Sequence, residues 1–185
     1  LRNRYIAAGV SHYSHVEVRG QHYLMGATAW DGQGPNTTSG LYHFNESSGQ
    51  LKLLQEIDTY GARKWIFFRS NESLFAAVAN YHGSSMIYRC FTSDGLGDVD
   101  GQQASASLTL ETGSALHLNV TGASSIIHLA TKNAQYLLVS TFFEGDGGGR
   151  ASPSVLYRIT IAVHGLIAAQ AVQQLAVGYA SDLTD

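Results

Sequence analysis

The chain has one cysteine, no basic run and no long apolar stretch, and each absence excludes a class of protein. Cys90 is the single cysteine among 185 residues, so no internal disulfide can form and the core must hold the fold. Eleven basic residues against fourteen acidic ones, without a basic run, argue against nucleic acid as a partner. No apolar run approaches the roughly 20 residues that cross a bilayer, so we expect no membrane span.

Signatures of catalysis are also missing. Neither G-x-S-x-G nor H-E-x-x-H occurs, and no Cys and His pair stands at a usable spacing. We therefore expect no enzyme activity. A glycosidase needs only two carboxylates at a suitable separation, and these can come from different parts of a chain, so a carbohydrate-acting enzyme fragment stays open as a third possibility.

The chain does contain a hexapeptide motif that occurs three times. The hexapeptides SGLYHF, SMIYRC and SVLYRI begin at Ser39, Ser85 and Ser154. Each follows an apolar octet that ends in an aromatic residue, and these octets read YLMGATAW, LFAAVANY and YLLVSTFF. We align the octets without gaps from Tyr23, Leu74 and Tyr136. The repeat period is therefore about 50 residues, with loop insertions.

Each repeat unit reads as four short strands. Strand A is SHVEV, WIFF or IIHLA, strand B is the octet, strand C is the hexapeptide, and strand D is the Leu-rich and Gln-rich run that follows. The segment LIAAQAVQQLAV resembles a helix in composition, but its place in the repeat predicts a strand. Four antiparallel strands at this period are typical of a β-propeller blade.

The predicted fold is all-β, with three four-stranded antiparallel blades of β-propeller type and one extra N-terminal strand. We place the extra strand in residues 1–12 and the blades in residues 13–64, 65–125 and 126–185. Closed propellers need about four to eight blades, so we expect an open arc that is completed by other sequence or by other subunits. Its terminal blades would expose apolar faces and unpaired edges.

The sequence resembles the epilepsy-associated repeat, called EAR or EPTP, which occurs in leucine-rich glioma-inactivated proteins. The middle unit, WIFFRSNESLFAAVANYHGSSMIYRC, is the most similar part, and the third unit departs from the pattern where VSTFF replaces VANY. The resemblance implies a propeller that serves as an extracellular protein-interaction module without enzyme activity. It also implies an acidic residue after the small-residue turn, near a central metal. The corresponding positions hold Lys64, Ser125 and Asp182, so only Asp182 keeps that pattern.

Recurring aromatic residues are interpreted as core that packs blade on blade, because alternate residues of a strand face the neighbouring sheets. A ligand-binding row of tyrosines is the alternative. Cys90 takes the place of an apolar residue in its repeat and is most simply a small buried side chain, although a reactive thiol or an intermolecular disulfide stays open. The predicted repeat core comprises Tyr42, Tyr88, Tyr157, Trp30, Tyr81 and Phe143.

Four tripeptides fit the acceptor pattern for N-glycosylation, and each could also be an ordinary polar turn. Together they predict an extracellular or cell-surface glycoprotein. By the strand assignment, two of them lie on one rim of the blades and two on the other. The acceptors are Asn45 and Asn71 on one rim and Asn36 and Asn119 on the other.

Two patterns in the sequence indicate candidate metal sites. The loop SDGLGDVDGQ places Asp94, Asp98 and Asp100 among glycines, an oxygen-rich turn that could bind Ca²⁺, but it lacks the spacing of an EF-hand loop, so a solvated turn is the alternative. His15 and His128 are aligned at one repeat position, with Ile66 between them in the series, and two such imidazoles could bind a metal in a central channel. We otherwise expect no cofactor.

The residues thus favour a non-catalytic extracellular scaffold that assembles with copies of itself, or with the rest of a longer chain, through blade faces and edge strands into a propeller, ring or fibril. Other extracellular proteins are the remaining expected partners. A fragment of a receptor-type ligand-binding propeller is the alternative.

Overall fold

The computed structural model describes residues 9–32, 34, 36–70, 72–93, 107–141, 153–162 and 166–175. Of the extra strand predicted at residues 1–12, residues 1–8 lie outside them, and Val10–His12 belong instead to the first strand of the first sheet. The regular elements of these residues are all strands, and none of the described segments is a helix long and apolar enough to span a membrane. The strands are β1 Val10–Val18, β2 Gln21–Thr28, β3 Asn36–Asn45, β4 Gln50–Tyr60, β5 Ala62–Ser70, β6 Ser73–Asn80, β7 Ser85–Ser93, β8 Ser107–Leu110, β9 Leu116–Leu118, β10 Ala123–Ala130, β11 Gln135–Thr141, β12 Ser154–Ile161 and β13 Ile167–Leu175.

The strands form three antiparallel sheets in chain order, which we call blades. Blade 1 is β1-β2-β3-β4, blade 2 is β5-β6-β7-β8 with β9 also paired to β7, and blade 3 is β10-β11-β12-β13. The predicted all-β fold of open antiparallel blades is confirmed. Blade 2 differs in that its fourth strand is split, because a turn at Gly113 and Ser114 interrupts it. The segment predicted as strand rather than helix is strand β13.

A glycine with positive φ precedes the first strand of every blade. Gly9 has φ 94°, Gly61 has φ 64° and Gly122 has φ 71°, a backbone region that L side chains avoid. A Cβ on Gly9 would lie 1.9 Å from the carbonyl oxygen of Trp30. Both this close approach and the positive φ therefore exclude a side chain at this position. The first strands begin directly after these glycines, about three residues before the boundaries predicted from sequence.

Strand pairing defines which residues of the three blades are equivalent, and it corrects the octet alignment. In the ladder between the second and third strands of each blade, Tyr42 pairs with Leu24, Tyr88 with Ala76 and Tyr157 with Leu137. The second residue of the first and third octets is therefore equivalent to the third residue of the middle one. The ungapped alignment is wrong by one residue in the middle unit. The residues from Leu74 to Ala79 are all apolar, so no alternation shows which of them face which side of the sheet.

The same correction applies to strand A. His15 pairs with Leu24, Phe67 with Ala76, and His128 with Leu137. The residue equivalent to the two histidines in blade 2 is thus Phe67 and not Ile66.

Two apolar cores lie between the blades. The first joins blades 1 and 2 and includes Tyr23, Met25, Leu41, Trp65 and Tyr88. The second joins blades 2 and 3 and includes Phe75, Ile87, Ile126, Leu137 and Tyr157. Burial of each large side chain contributes about 1.5–3 kcal/mol, so packing between sheets holds the blades together. Blade 2 is covered on both faces, and all residues from Leu74 to Asn80 are buried.

The predicted repeat core is only partly buried. Tyr88 and Tyr157 are 2% and 5% exposed, and each packs against the preceding blade, whereas Tyr42 is half-buried. Trp30 corrects the prediction: it is 50% exposed, because β2 ends at Thr28 and the chain leaves the sheet. Tyr81 is half-buried under the guanidinium of Arg63, 4.9 Å from its ring centroid. Phe143 lies outside the described residues.

Candidate functional site: two uncovered blade faces

Each blade has two faces, which we name by chain order. The preceding face points toward the blade before it, and the following face points toward the blade after it. In blade 2 the preceding face carries Trp65 and Tyr88, which pack on blade 1, and the following face carries Phe75 and Ile87, which pack on blade 3. The preceding face of blade 1 and the following face of blade 3 have no blade against them in the described part of the chain.

The preceding face of blade 1 is exposed at a position that is buried elsewhere. Tyr13 pairs with Gly26, Trp65 with Val78, and Ile126 with Val139, which makes the three first-strand residues equivalent. Trp65 and Ile126 are fully buried, while Tyr13 is 49% exposed. The difference follows from the neighbour, because blades 1 and 2 cover Trp65 and Ile126 respectively.

Two tyrosine rings lie flat on this face because glycines leave room beneath them. A Cβ on Gly26 would be 3.2 Å from the Tyr13 ring, and a Cβ on Gly40 would be 2.5 Å from the Tyr42 hydroxyl oxygen. Partial burial raises the pKa of the Tyr42 phenol, with smaller contributions from Tyr13 and Glu56. The face is thus a broad aromatic surface with polar groups at its margin.

The following face of blade 3 is aliphatic and also uncovered. Leu129 is 44% exposed, whereas Phe68, its equivalent in blade 2, is 4% exposed. Ile127 is 38% exposed, next to Ile126, which is fully buried on the opposite face. Tyr136, Leu138 and Leu156 are half-buried on the same face. The following face of blade 3 therefore has the apolar character of the faces that pack inside the molecule.

A chain of three polar side chains lies on the preceding face of blade 1. The Nε2 atom of His15 is 2.9 Å from Nδ1 of His22, and Nε2 of His22 is 2.8 Å from a carboxylate oxygen of Glu46. The ring centroids of His15 and His22 are 5.1 Å apart. This is close to the largest separation that the 2.9 Å between their nitrogens allows, so the two rings meet edge to edge. This pairing was not predicted from sequence, since His22 and Glu46 lie in different hairpins.

The predicted glycosylation acceptors that the structure describes are exposed. Asn36 and Asn45 are the first and last residues of β3, where they pair with Tyr60 and Gln50, so they lie at opposite ends of blade 1. They were predicted in the flanking loops and instead belong to the strand. Asn119 lies between β9 and β10, as expected from the repeat. Asn71 lies outside the described residues.

The structure describes only two of the predicted metal residues, His15 and His128, and it does not bring these two together. Asp94, Asp98, Asp100 and Asp182 lie outside the described residues. His15 and His128 lie in different blades, and His128 has its own partners, the Phe68 ring and the amide oxygen of Gln135 at 3.1 Å. Lys64 in β5 donates to the Ser125 hydroxyl in β10 at 3.4 Å, so these two positions form a hydrogen bond between blades 2 and 3 and provide no carboxylate. Among the described residues no three His, Cys, Asp or Glu side chains are arranged to hold a metal ion.

Cys90 is buried between blades 1 and 2, in agreement with its interpretation as a small apolar residue. Burial raises the pKa of its thiol to about 12, against a smaller lowering by Arg69. Since the thiolate is the reactive form, this environment disfavours a reactive cysteine.

Two carboxylates share one cleft, the arrangement that a carbohydrate-acting enzyme would need. Glu56 and Asp58 line an open cleft of about 290 Å³ together with Tyr60, Tyr88 and His117. Both carboxylates are exposed to solvent. The acid carboxyl of a glycosidase is instead held in a water-poor environment that keeps it protonated, so the pair lacks the asymmetry that this reaction requires.

Comparison with known proteins adds two matches. Residues 50–89 match the family model of the EPTP domain. Over 70 residues, or 37% of this chain, the sequence is 39% identical to a thrombospondin-type laminin G domain and EAR repeat-containing protein of Mus musculus. That match spans 10% of the length of the mouse protein. The EPTP match runs from β4 of blade 1 into β7 of blade 2, so the sequence repeat crosses the boundary between two blades.

Proposed function

We propose that the chain is a non-catalytic, extracellular protein-interaction module that assembles through its terminal blade faces. The match of residues 50–89 to the EPTP domain model supports the interaction role. The observation that carries this proposal is the exposure of Tyr13 at a position where Trp65 and Ile126 are fully buried. An apolar side chain left in water costs the free energy that burial would return, so such faces mark surfaces that pack on a partner.

The best partner for each uncovered face is the uncovered face of the opposite kind on a second copy. Inside the molecule a following face always meets a preceding face, as Met25 and Leu41 of blade 1 meet Trp65 and Tyr88 of blade 2. The following face of blade 3 would meet the preceding face of blade 1 in a second copy by the same rule. Such a head-to-tail contact produces a ring if it closes and a fibril if it does not.

Sedimentation velocity of the purified chain tests this assembly. We expect association that rises with concentration and is lost in Tyr13→Asp and in Ile127→Asp, since each places a charge on one of the two faces. Leu166→Asp is the matched control, because Leu166 is 71% exposed and lies in the turn before β13. A mixture of the two face variants should form a dimer that grows no further, because each variant keeps one intact face.

A wild-type chain that stays monomeric at high concentration would refute self-assembly. A dimer that persists in both face variants would instead indicate a symmetric contact elsewhere on the surface.

The extracellular location rests on the exposed acceptors Asn36, Asn45 and Asn119. We expect the chain, when secreted from eukaryotic cells, to carry N-glycans at these positions, and glycopeptide mass spectrometry before and after enzymatic deglycosylation measures their occupancy. Bare asparagines at all sites would remove this support.

The non-catalytic assignment is supported by the exposure of Glu56 and Asp58, two carboxylates that line one cleft. Hydrolysis of a panel of aryl glycosides by wild type that disappears in both Glu56→Gln and Asp58→Asn would overturn it.

A further inference from the structure

One side chain at the interface between blades 1 and 2 binds the backbone of the opposite blade. The amide nitrogen of Gln55 donates to the carbonyl oxygen of Leu110 at 3.0 Å, and the amide oxygen accepts the N–H of the same residue at 2.8 Å. Since a backbone N–H only donates and a carbonyl only accepts, these two bonds fix the orientation of the amide. Gln55 thus satisfies both backbone polar groups of one residue across the interface.

The backbone groups of Leu110 are available because they point away from their own sheet. The N–H of the next residue, Glu111, donates to the carbonyl of Arg89 at 2.9 Å, so these two residues form a hydrogen-bonded pair. Such pairs alternate with non-bonded ones along an antiparallel ladder, which makes Cys90 and Leu110 a non-bonded pair. Leu110 therefore directs its N–H and C=O to the outer edge of blade 2, where Gln55 meets them.

Blade 3 repeats this glutamine on its uncovered following face. Gln55 pairs with Leu41, the third residue of the first hexapeptide, and Gln173 pairs with Leu156, the third residue of the last one. Gln55 is half-buried against blade 2, whereas Gln173 is exposed. The equivalent residue of blade 2 is Leu116, which packs in the core shared with blade 3. This strand position therefore contacts the next blade wherever a next blade is present.

Blade 1 repeats the other half of the contact on its uncovered preceding face. Leu110 pairs with Cys90, and Leu51 pairs with Phe44, the last residues of their hexapeptides. The two leucines are thus equivalent, yet Leu110 is 4% exposed and Leu51 is 47% exposed. The difference again follows from the presence or absence of a preceding blade.

The backbone of Leu51 has the same orientation as that of Leu110. The carbonyl of Asn45 accepts the N–H of Gly49 at 2.8 Å, so Asn45 directs its polar groups toward the turn and β4. By the alternation of the ladder, the pair of Phe44 and Leu51 beside it is non-bonded. The N–H and C=O of Leu51 therefore point to the outer edge of blade 1.

We propose that Gln173 of one copy binds the backbone N–H and C=O of Leu51 in a second copy, as Gln55 binds Leu110 within the chain. The inference rests on the head-to-tail assembly proposed above and adds its specific contact, a strand edge of blade 1 bound by an amide of blade 3. Apolar faces can slide over one another, whereas two directional hydrogen bonds to one residue fix a single relative position. The amide thus sets the register of the assembly.

The heterodimer of the Tyr13→Asp and Ile127→Asp chains tests the contact, because only one pair of faces can join in it. Gln173→Met keeps the length of the side chain and removes the amide. In the Tyr13→Asp chain it should raise the dissociation constant, measured by sedimentation velocity over a dilution series, about tenfold or more, since two hydrogen bonds are lost. The same substitution in the Ile127→Asp chain is the matched control and should change nothing, because that face is already blocked.

Leu51→Pro removes the donor on the other side of the contact. Because the N–H of Leu51 points out of its ladder, proline costs blade 1 no ladder hydrogen bond. In the Ile127→Asp chain, Leu51→Pro should weaken the heterodimer several-fold more than Leu51→Ala. Combined with Gln173→Met in the other chain, its effect should be smaller than in isolation, since both changes break one contact. Circular dichroism checks the fold of each variant, and the Gln173 variants decide the question if proline disrupts blade 1.

Three results would overturn the inference, and they differ in what else they refute. Wild type that does not associate would refute the proposed assembly as well. A heterodimer whose affinity is unchanged by Gln173→Met in the Tyr13→Asp chain would refute this contact alone. A loss of stability in Gln173→Met that equals the loss in Gln55→Met and does not depend on protein concentration would show that the Gln173 amide is bound within its own chain.

Discussion

Trp65 in blade 2 and Tyr13 in blade 1 hold the same position of the same strand, yet one is fully buried and the other is 49% exposed. Both rings lie on the preceding face of their blade, and both lie beside a small or medium residue of the next strand, Val78 or Gly26. The difference between them is whether a sheet lies against the ring. Whether a residue of this fold is buried therefore depends on the neighbouring blade, and its position in the repeat does not predict it.

The largest effect is expected where blade 1 covers blade 2. Trp65→Ala should lower the free energy of unfolding by about 3–5 kcal/mol, because it removes a fully buried ring and leaves a cavity. The Nε1 atom of Trp65 has no hydrogen-bond partner, so the loss comes from packing alone. Tyr13→Ala should cost less than about 1 kcal/mol, as for other exposed positions. Urea unfolding of both variants measures the difference.

Equal losses in the two variants would show that Tyr13 is covered in solution, either by a second copy or by residues outside the described ranges. Repeating the Tyr13→Ala measurement at several protein concentrations distinguishes these cases, since stabilisation by a second copy depends on concentration.

The comparison becomes sharper within blade 3, where consecutive residues face opposite ways. Ile126 is fully buried against blade 2 and Ile127 is 38% exposed on the uncovered face. Ile126→Ala should therefore cost about 2–4 kcal/mol and Ile127→Ala less than about 1 kcal/mol. The same side chain is deleted in both, so the ratio of the two losses reports coverage alone. A large loss at Ile127 would contradict an uncovered face.

Much of the fold could be predicted from sequence because each signal was local. The threefold hexapeptide placed β3, β7 and β12, whereas the predicted blade boundaries fell about three residues after the first strands begin. The octet alignment failed in blade 2 because both faces of β6 are buried there, so apolar residues lose their alternation and the register has no phase. The prediction that Trp30 belongs to the core failed for a related reason. Trp30 lies past the end of its strand, so it keeps its place in the repeat pattern but not the buried environment of a strand residue.

The site was less predictable, because it depends on contacts across hairpins. Strand periodicity places His15 and His22 on a face, but only the ladder shows that they are diagonal neighbours and that Glu46 reaches the second ring. The aligned pair of His15 and His128 was a sound inference about repeat position. It gave the wrong partner, because equivalent residues of different blades face different neighbours.

The smallest effect is expected from the hexapeptide tyrosines at high pH. Burial, with smaller contributions from Asp58 and Tyr60, raises the pKa of Tyr88 to about 12 from an ordinary value of 10.0. The unfolded chain ionises first, so the stability that the neutral phenol contributes is intact below about pH 10 and is lost as the pH rises toward 12. The loss should be on the order of 1 kcal/mol per pH unit.

Tyr88→Phe should flatten this part of the stability profile relative to wild type, as measured by urea unfolding between pH 9 and 12. Cys90 is present in both proteins, so its titration contributes equally to both profiles. Tyr42→Phe on the uncovered face should change the profile less, and an equal change in the two variants would mean that the preceding face of blade 1 is as well covered as that of blade 2.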